Sequence, residues 1–252
     1  QPLLADTTRA EALFPAIHPL PYRRAVELAF PEGLENANRS AERYGPGLRS
    51  LEGQALSLYR MGRLEDAAEI FETLARQEPA DYVGCHYLAG EIHHQMGDLD
   101  AAIGHYGRVP VEPAVLYNLG LAHFQRDELE KAADHLIRAF VSNIHIASFL
   151  LGRFAYHRSC MPGYLGSEAY AEEFVEACAR LWQTAQGGFT FMERCFDHAL
   201  VQTHLQQCAE RGGEHLLSLG DGRSEQEGWL EQLHDEALMS GLVERVLQRL
   251  DS

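Results

Sequence analysis

The sequence predicts an all-α chain: a solenoid of helical hairpins with N-terminal capping helices and a C-terminal helical extension. Three observations carry this prediction. Apolar residues recur at three- and four-residue spacing along most of the 252 residues, and no segment reads as a strand. Residues 48–79, 83–110 and 113–140 align with one another as internal repeats. Each copy breaks at the same internal place, at Met61-Gly62-Arg63-Leu64, Met96-Gly97-Asp98-Leu99 and Arg126-Asp127-Glu128-Leu129.

Ahead of the repeats, YRRAVELAF (22–30) and LENANRSAERY (34–44) read as two short helices separated by Pro31 and Gly33. They are expected to cap the first hairpin, because the open end of a stack exposes apolar surface. Residues 1–47 are therefore assigned to the cap, 48–147 to three repeats and 148–252 to a helical extension.

Within the repeats each position has a physical reason. Gly62 and Gly97 stand where the chain reverses, and glycine accepts the left-handed backbone a helix end requires. Asp127 takes that place in the third copy. Leu64, Leu99 and Leu129 then return to the core. Ala67, Ala102 and Ala132 follow three residues later and let two helices approach closely. Phe71, Tyr106 and Leu136 come four residues after the alanines, on the same face. Ala55, Gly90 and Gly120 hold the matching small position in the first helices. Pro79 and Pro110 end second helices, and Pro113 suits a first turn.

This order of small residue, turn glycine, apolar residue, alanine and large apolar residue resembles the tetratricopeptide repeat, a helix-turn-helix unit of about 34 residues. Ala55 to Gly90 spans 35 residues and Gly90 to Gly120 only 30, so the link VPVEPA after the second copy is short.

Downstream, HIASFLLGRF (145–154) continues the helical pattern. Residues 167–183 form an amphipathic helix with Tyr170, Phe174, Cys178 and Leu181 on one face and Ser167 as its cap. Residues 189–211 read as one further helix, the glycine-bearing stretch 212–224 as a loop, and Ser224 with Glu227 as a capping box ahead of Trp229. A last helix, broken near Gly241, carries Leu230, Leu233, Leu238, Leu242, Val246 and Leu250.

A second resemblance rests on this part of the chain. Asn143, Leu150, Leu151, Gly152 and Arg153, followed by Tyr170, Glu172, Glu173 and Trp182, are similar to a pattern in bacterial tetratricopeptide proteins related to the suppressor-of-tumorigenicity repeat family. The similarity covers residues 48–195; Gly187 and Gly188 depart from it. The resemblance brings no catalytic chemistry with it and says little about the partner.

Composition narrows the function. The chain is 46% hydrophobic and 23% charged, as ordinary globular chains are. Its formal net charge of −16 repels phosphate backbones and anionic lipid surfaces, so neither nucleic acid nor membrane is expected as a partner. Cys85, Cys160, Cys178, Cys195 and Cys208 show no Cys-x-x-Cys spacing, which favours free thiols in a reducing compartment and a cytoplasmic location. No signal peptide is visible. A single lysine, Lys131, among many arginines suggests a GC-rich bacterial genome.

The tetratricopeptide resemblance implies a concave groove lined by the first helices. It would show Arg49, Glu52, Leu56, Tyr59 and Arg60 from the first copy. The second would add Tyr87, Glu91, His94 and Gln95, and the third Tyr117, Leu121, Phe124 and Gln125. Aromatic and apolar groups with a few charges suit a peptide or partner helix, unless the terminal helices fold into the groove themselves. The expected function is a non-enzymatic adaptor or scaffold for a protein or peptide partner, without cofactor or metal. One alternative is a dedicated chaperone or regulator of one partner.

The other alternative is a metal-dependent enzyme. CHYLAGEIHHQMGDLDAAIGHY (85–106) holds His86, His93, His94 and His105 with Glu91 and Asp98. His86 and His93 are two turns apart, ~11 Å of rise, too far to share one ion. The spacing His-Glu-x-x-His is absent. His93 and His123 occupy matching places in neighbouring first helices, so His93, His94, His123 and Glu91 are the metal alternative; at such places a packing role is the plainer expectation. Cys160 near His157 is read as a loop cysteine rather than a nucleophile.

Overall fold

The computed structural model describes residues 46–77, 84–153, 159–161, 163–218 and 236–250. The expected capping helices, His157, the Ser224–Glu227 capping box and Trp229 lie outside these residues. Among the described residues the fold is an all-α helical repeat without strands. Three hairpins come first: α1 (Pro46–Arg60) with α2 (Leu64–Gln77), α3 (Cys85–Met96) with α4 (Leu99–Tyr106), and α5 (Pro113–Gln125) with α6 (Leu129–Ser142). Then come α7 (Ile144–Leu150), a 3-10 turn (Tyr164–Gly166), α8 (Glu168–Thr184), α9 (Gly188–Asp197), α10 (Ala199–Ser218) and α11 (Glu236–Leu250). The chain divides into two compact units between Pro110 and Val111, inside the short VPVEPA link. The N-terminal unit holds α1–α4; the third hairpin belongs with the helices that follow it.

The repeat chemistry is visible in the hairpin turns. Gly62, Gly97 and Asp127 have φ of 74°, 82° and 61°, so all three turns use the left-handed conformation. Each turn closes with the same pair of bonds: Gly62 N–H to Tyr59 O with Arg63 N–H to Leu58 O, and Gly97 N–H to His94 O with Asp98 N–H to His93 O. In the third, Asp127 N–H reaches Phe124 O and Glu128 N–H reaches His123 O. These bonds satisfy carbonyls that a helix end would otherwise leave open. Gly152 (φ 64°) repeats the arrangement after α7, with Arg153 N–H on Ser148 O, which explains why Leu-Leu-Gly-Arg sits there.

Close helix approach depends on the small positions. A Cβ at Gly90 would stand 2.7 Å from the Tyr106 ring and 3.3 Å from Ala102 O. One at Gly120 would stand 2.8 Å from Leu136 and 3.4 Å from Ala132 O. Ala55, Ala67 and Phe71 fill the matching place in the first hairpin with no exposure. Fully burying a side chain such as Phe71 contributes about 1.5–3 kcal/mol.

Three local expectations are corrected. The helix expected over 189–211 is two helices: His198 is extended (ψ 128°), and its Nδ1 accepts from Leu200 N–H, starting α10 afresh. Gln202 Nε2 donates to Phe196 O, capping the end of α9. The loop expected from residue 212 begins later, because α10 runs to Ser218. Two helical glycines cost about 1 kcal/mol each against alanine, and the helix formers around Gly212 and Gly213 absorb that cost. The last helix is continuous through Gly241.

Candidate functional site

In the N-terminal unit the first helices bring together three residues of the expected groove. Tyr59, at the end of α1, donates its hydroxyl to Glu91 Oε1 at 2.7 Å. Gln95, one turn after Glu91 on α3, donates Nε2 to the Tyr59 hydroxyl at 2.6 Å and to Glu91 Oε1 at 3.3 Å. Glu91 is buried, while Tyr59 and Gln95 are half-buried. Burial lifts the Glu91 carboxyl from 4.5 to about 7, against the opposing pull of the hydrogen bonds from Tyr59 and Gln95. The side chain thus holds an aromatic hydroxyl and an amide in place at a half-open surface and changes charge near neutral pH.

The other expected groove residues of this unit divide by burial. Glu52 and Tyr87 are half-buried, and the Tyr87 ring lies 6.1 Å from Tyr106. Leu56 is part of the core and His94 is buried with its ring edge-on to Tyr106 at 6.2 Å. The side chains of Arg49 and Arg60 lie outside the described part of the structure.

In the C-terminal unit the equivalent face is filled from within the chain. Tyr117 is fully buried, with Phe174 of α8 at 5.7 Å and Trp182 at 6.4 Å between ring centroids. Its hydroxyl donates to Asn143 O at 2.9 Å and accepts from Ala147 N–H at 3.1 Å. Phe124 stacks on Phe191 of α9 at 5.0 Å. Leu121 is buried beside Gly188, where a Cβ would come within 2.9 Å of its Cδ1. Gly187 takes φ 80° next to the Phe124 ring. The two glycines let the turn between α8 and α9 lie flat on α5. As binding positions, Tyr117 and Leu121 are corrected: both are core. Phe124 is packed under α9, and Gln125 is exposed at the helix end.

The motif residues of the second resemblance hold this packing. The Asn143 side chain accepts from His145 and Ile146 N–H and donates to Leu165 O at 2.7 Å and Ser167 O at 3.0 Å, so a fully buried amide is satisfied on both sides. Arg153 grips Asp197 through both its terminal nitrogens and Glu193 at 2.6 Å. Trp182 is fully buried, and Ser167 caps α8 as expected.

The histidines sort differently from the metal alternative. Glu91 is engaged with Tyr59 and Gln95, and His94 with Tyr106. His93 instead meets Glu72 of α2, Nε2 to Oε1 2.9 Å, and stacks on His105 of α4 at 5.4 Å. His105 Nδ1 lies 3.0 Å from His86 Nδ1. Burial, then the neighbouring His86 and His93, drive the His105 pKa down to about 4. The set Glu91, His93, His94 and His123 is therefore corrected. Among the described residues, the group whose donor atoms lie within 4.8 Å of one another is Glu72, His93 and His105. His123, in the other unit, bonds through Nδ1 to Glu128 Oε2 at 2.7 Å and stacks on His135 at 5.1 Å. Sequence reasoning missed Glu72 because it belongs to a neighbouring hairpin and no spacing rule ties it to His93.

All five cysteines are buried thiols outside any disulfide. Cys160 donates to Leu205 O at 3.4 Å, and a hydrogen bond with Cys208, then burial, raises its thiol pKa, which leaves it a structural thiol. No helix among the described residues is long and apolar enough to cross a membrane.

Two tetratricopeptide repeat family models match the chain, over residues 53–109 and 113–136. Both matches fall on the hairpins described above, and the chain carries tetratricopeptide repeats. No curated protein and no solved structure matches it significantly.

Proposed function

We propose that the chain is a protein-binding adaptor whose recognition surface is the α1–α3 face of the N-terminal unit. Tetratricopeptide repeats mediate protein–protein interactions, and repeats of this kind are typically non-enzymatic. The observation that carries the reading is the covering of α5. There the matching face of a hairpin receives an amphipathic helix, with Phe124, Leu121 and Tyr117 packed under α8 and α9. A face of this construction accepts a helix, in the helix-in-groove manner of peptide recognition.

On the N-terminal unit the same register presents Tyr59, Tyr87 and Gln95 half-buried, with Glu91 fixing two of them. Aromatic rings with a positioned hydroxyl and amide suit the side chains and backbone of a partner segment. The motif at Asn143–Arg153 and Tyr170–Trp182 supports a relation to the suppressor-of-tumorigenicity repeat proteins of bacteria, with those residues building the C-terminal cover. The net charge of −16 favours a partner with basic groups, and five scattered cysteines favour a reducing, cytoplasmic setting.

Affinity capture from native lysate tests this reading, comparing wild type with Tyr87→Ala/Gln95→Ala. A partner retained by the wild type and lost at least tenfold in the folded variant is the expected result. Equal retention by both would remove the face from the account.

A further inference from the structure

We infer that Glu72, His93 and His105 form a binding site for a divalent transition-metal ion of the zinc class, with His86 orienting the His105 imidazole from behind. The inference concerns α2–α4 and does not depend on which partner the α1–α3 face binds.

The donor set is one carboxylate and two imidazoles, the types that zinc and its neighbours prefer over magnesium or calcium. Each ligand comes from a different helix: Glu72 from α2, His93 from α3, His105 from α4. Their donor atoms lie within 4.8 Å of one another. Around a tetrahedral ion with ligands at about 2.0–2.2 Å, donor atoms stand roughly 3.5 Å apart. Side-chain adjustments of about an ångström therefore close the site, with one position left for water or another donor.

The surroundings support ligation rather than simple packing. Metal-bound histidines engage their second ring nitrogen with a neighbouring group. His105 Nδ1 is held by His86 Nδ1 at 3.0 Å, so His105 donating its Nδ1–H there leaves the Nε2 lone pair for an ion. His93 turns Nε2 towards Glu72 Oε1 at 2.9 Å, while its Nδ1 faces the Asp98 carboxylate at 3.7 Å, an electrostatic contact beyond hydrogen-bond length. His93 is nearly buried, whereas the Glu72 side chain is 34% exposed, which gives an ion a way in. Two cations oppose binding: Arg76 stands 3.5 Å from Glu72 Oε2, and Arg108 acts on His105. The Asp98 carboxylate counters them, and Arg76 sits on Glu72 Oε2, so that Oε1 is the oxygen turned to His93.

The third repeat supplies an internal control. His123 and His135 stack as His93 and His105 do, at 5.1 Å, and Glu128 matches Asp98. The places that match Glu72 and His86 in the next copy are Gly107 and Leu116. Glu128 is also shared with Lys131 at 3.1 Å and Arg126 at 3.1 Å. That pair lacks a third ligand.

The 252-residue chain, stripped of metal by chelator, is titrated with Zn2+ by calorimetry at neutral pH. One equivalent binds the wild type with micromolar or tighter affinity. Glu72→Gln and His105→Gln lower the affinity at least tenfold, His86→Gln weakens it about tenfold, as loss of an orienting partner does, and His123→Gln leaves it unchanged. Circular dichroism of each variant confirms folding; Glu72→Gln, at a partly exposed position, decides the matter if His105→Gln does not fold. Absence of saturable binding to the wild type overturns the inference, as does equal affinity in Glu72→Gln.

Discussion

Matched positions of the second and third repeats do different work. Tyr87 and Tyr117 occupy one register position, Glu91 and Leu121 the next, and His94 and Phe124 the one after. In the third repeat these places are apolar and lie beneath α8 and α9. In the second, Glu91 carries a buried carboxyl hydrogen-bonded to Tyr59 and Gln95. A leucine at this place asks only for an apolar cover, which the chain supplies itself. A glutamate needs specific donors, and it holds those donors in position at a half-open surface. The comparison teaches that the repeat register sets which residues face the same way, and the residue chosen there sets whether the face is finished by an apolar cover or built around a hydrogen-bonded carboxyl.

The largest expected effect separates the two tyrosines. Tyr117→Ala opens a cavity under Phe174 and Trp182 and leaves Ala147 N–H unpaired, at a cost of about 3–5 kcal/mol. Tyr87→Ala, at a half-buried site, costs about 1 kcal/mol. Denaturant unfolding of both variants checks this; equal losses would erase the distinction between the faces.

Glu91 gives the next effect. Between its unfolded value of 4.5 and its folded value of about 7, the folded chain keeps a proton the unfolded chain has released. Stability from this group is therefore fully present below 4.5 and is lost as pH rises through about 7. Glu91→Gln removes that loss. Its melting temperature exceeds the wild type near pH 8, by on the order of 3 kcal/mol in stability, and the two converge near pH 4.5. His105 and His135, both pushed down to about 4, destabilise the fold as pH falls from 6.5 in wild type and variant alike.

The repeat seams should respond equally in the two units. Gly90→Ala and Gly120→Ala each force a Cβ against Tyr106 or Leu136, costing about 1–3 kcal/mol. The smallest effect lies in the turns. Asp127→Gly relieves a left-handed backbone at φ 61° and raises stability by about 0.5–1 kcal/mol, whereas Gly97→Ala lowers it by a similar amount. Thermal unfolding of these variants reads both.

The sequence made the hairpins legible because their determinants are local. Gly62, Gly97 and Asp127 mark turns, and Ala102 with Tyr106 or Ala132 with Leu136 sits opposite a glycine on the partner helix. Tyr59, Glu91 and Gln95 were legible as one face for the same reason. What covers a face is not local. Tyr87 and Tyr117 are the same residue at the same register position, and only Phe174 and Trp182, more than 50 residues downstream of Tyr117, make one of them core. The Glu72–His93 pair joins two hairpins and leaves no spacing signature. The break at His198 depends on a side chain bonding to a backbone amide two residues on, which apolar periodicity does not register.

The most direct test of the recognition surface is hydrogen–deuterium exchange on the full chain, alone and with its captured partner. The account predicts that binding slows exchange in Pro46–Arg60 and Cys85–Met96 and leaves Glu168–Thr184 and Gly188–Asp197 as they were. Protection confined to Glu168–Asp197, with none on the first two hairpins, would contradict it.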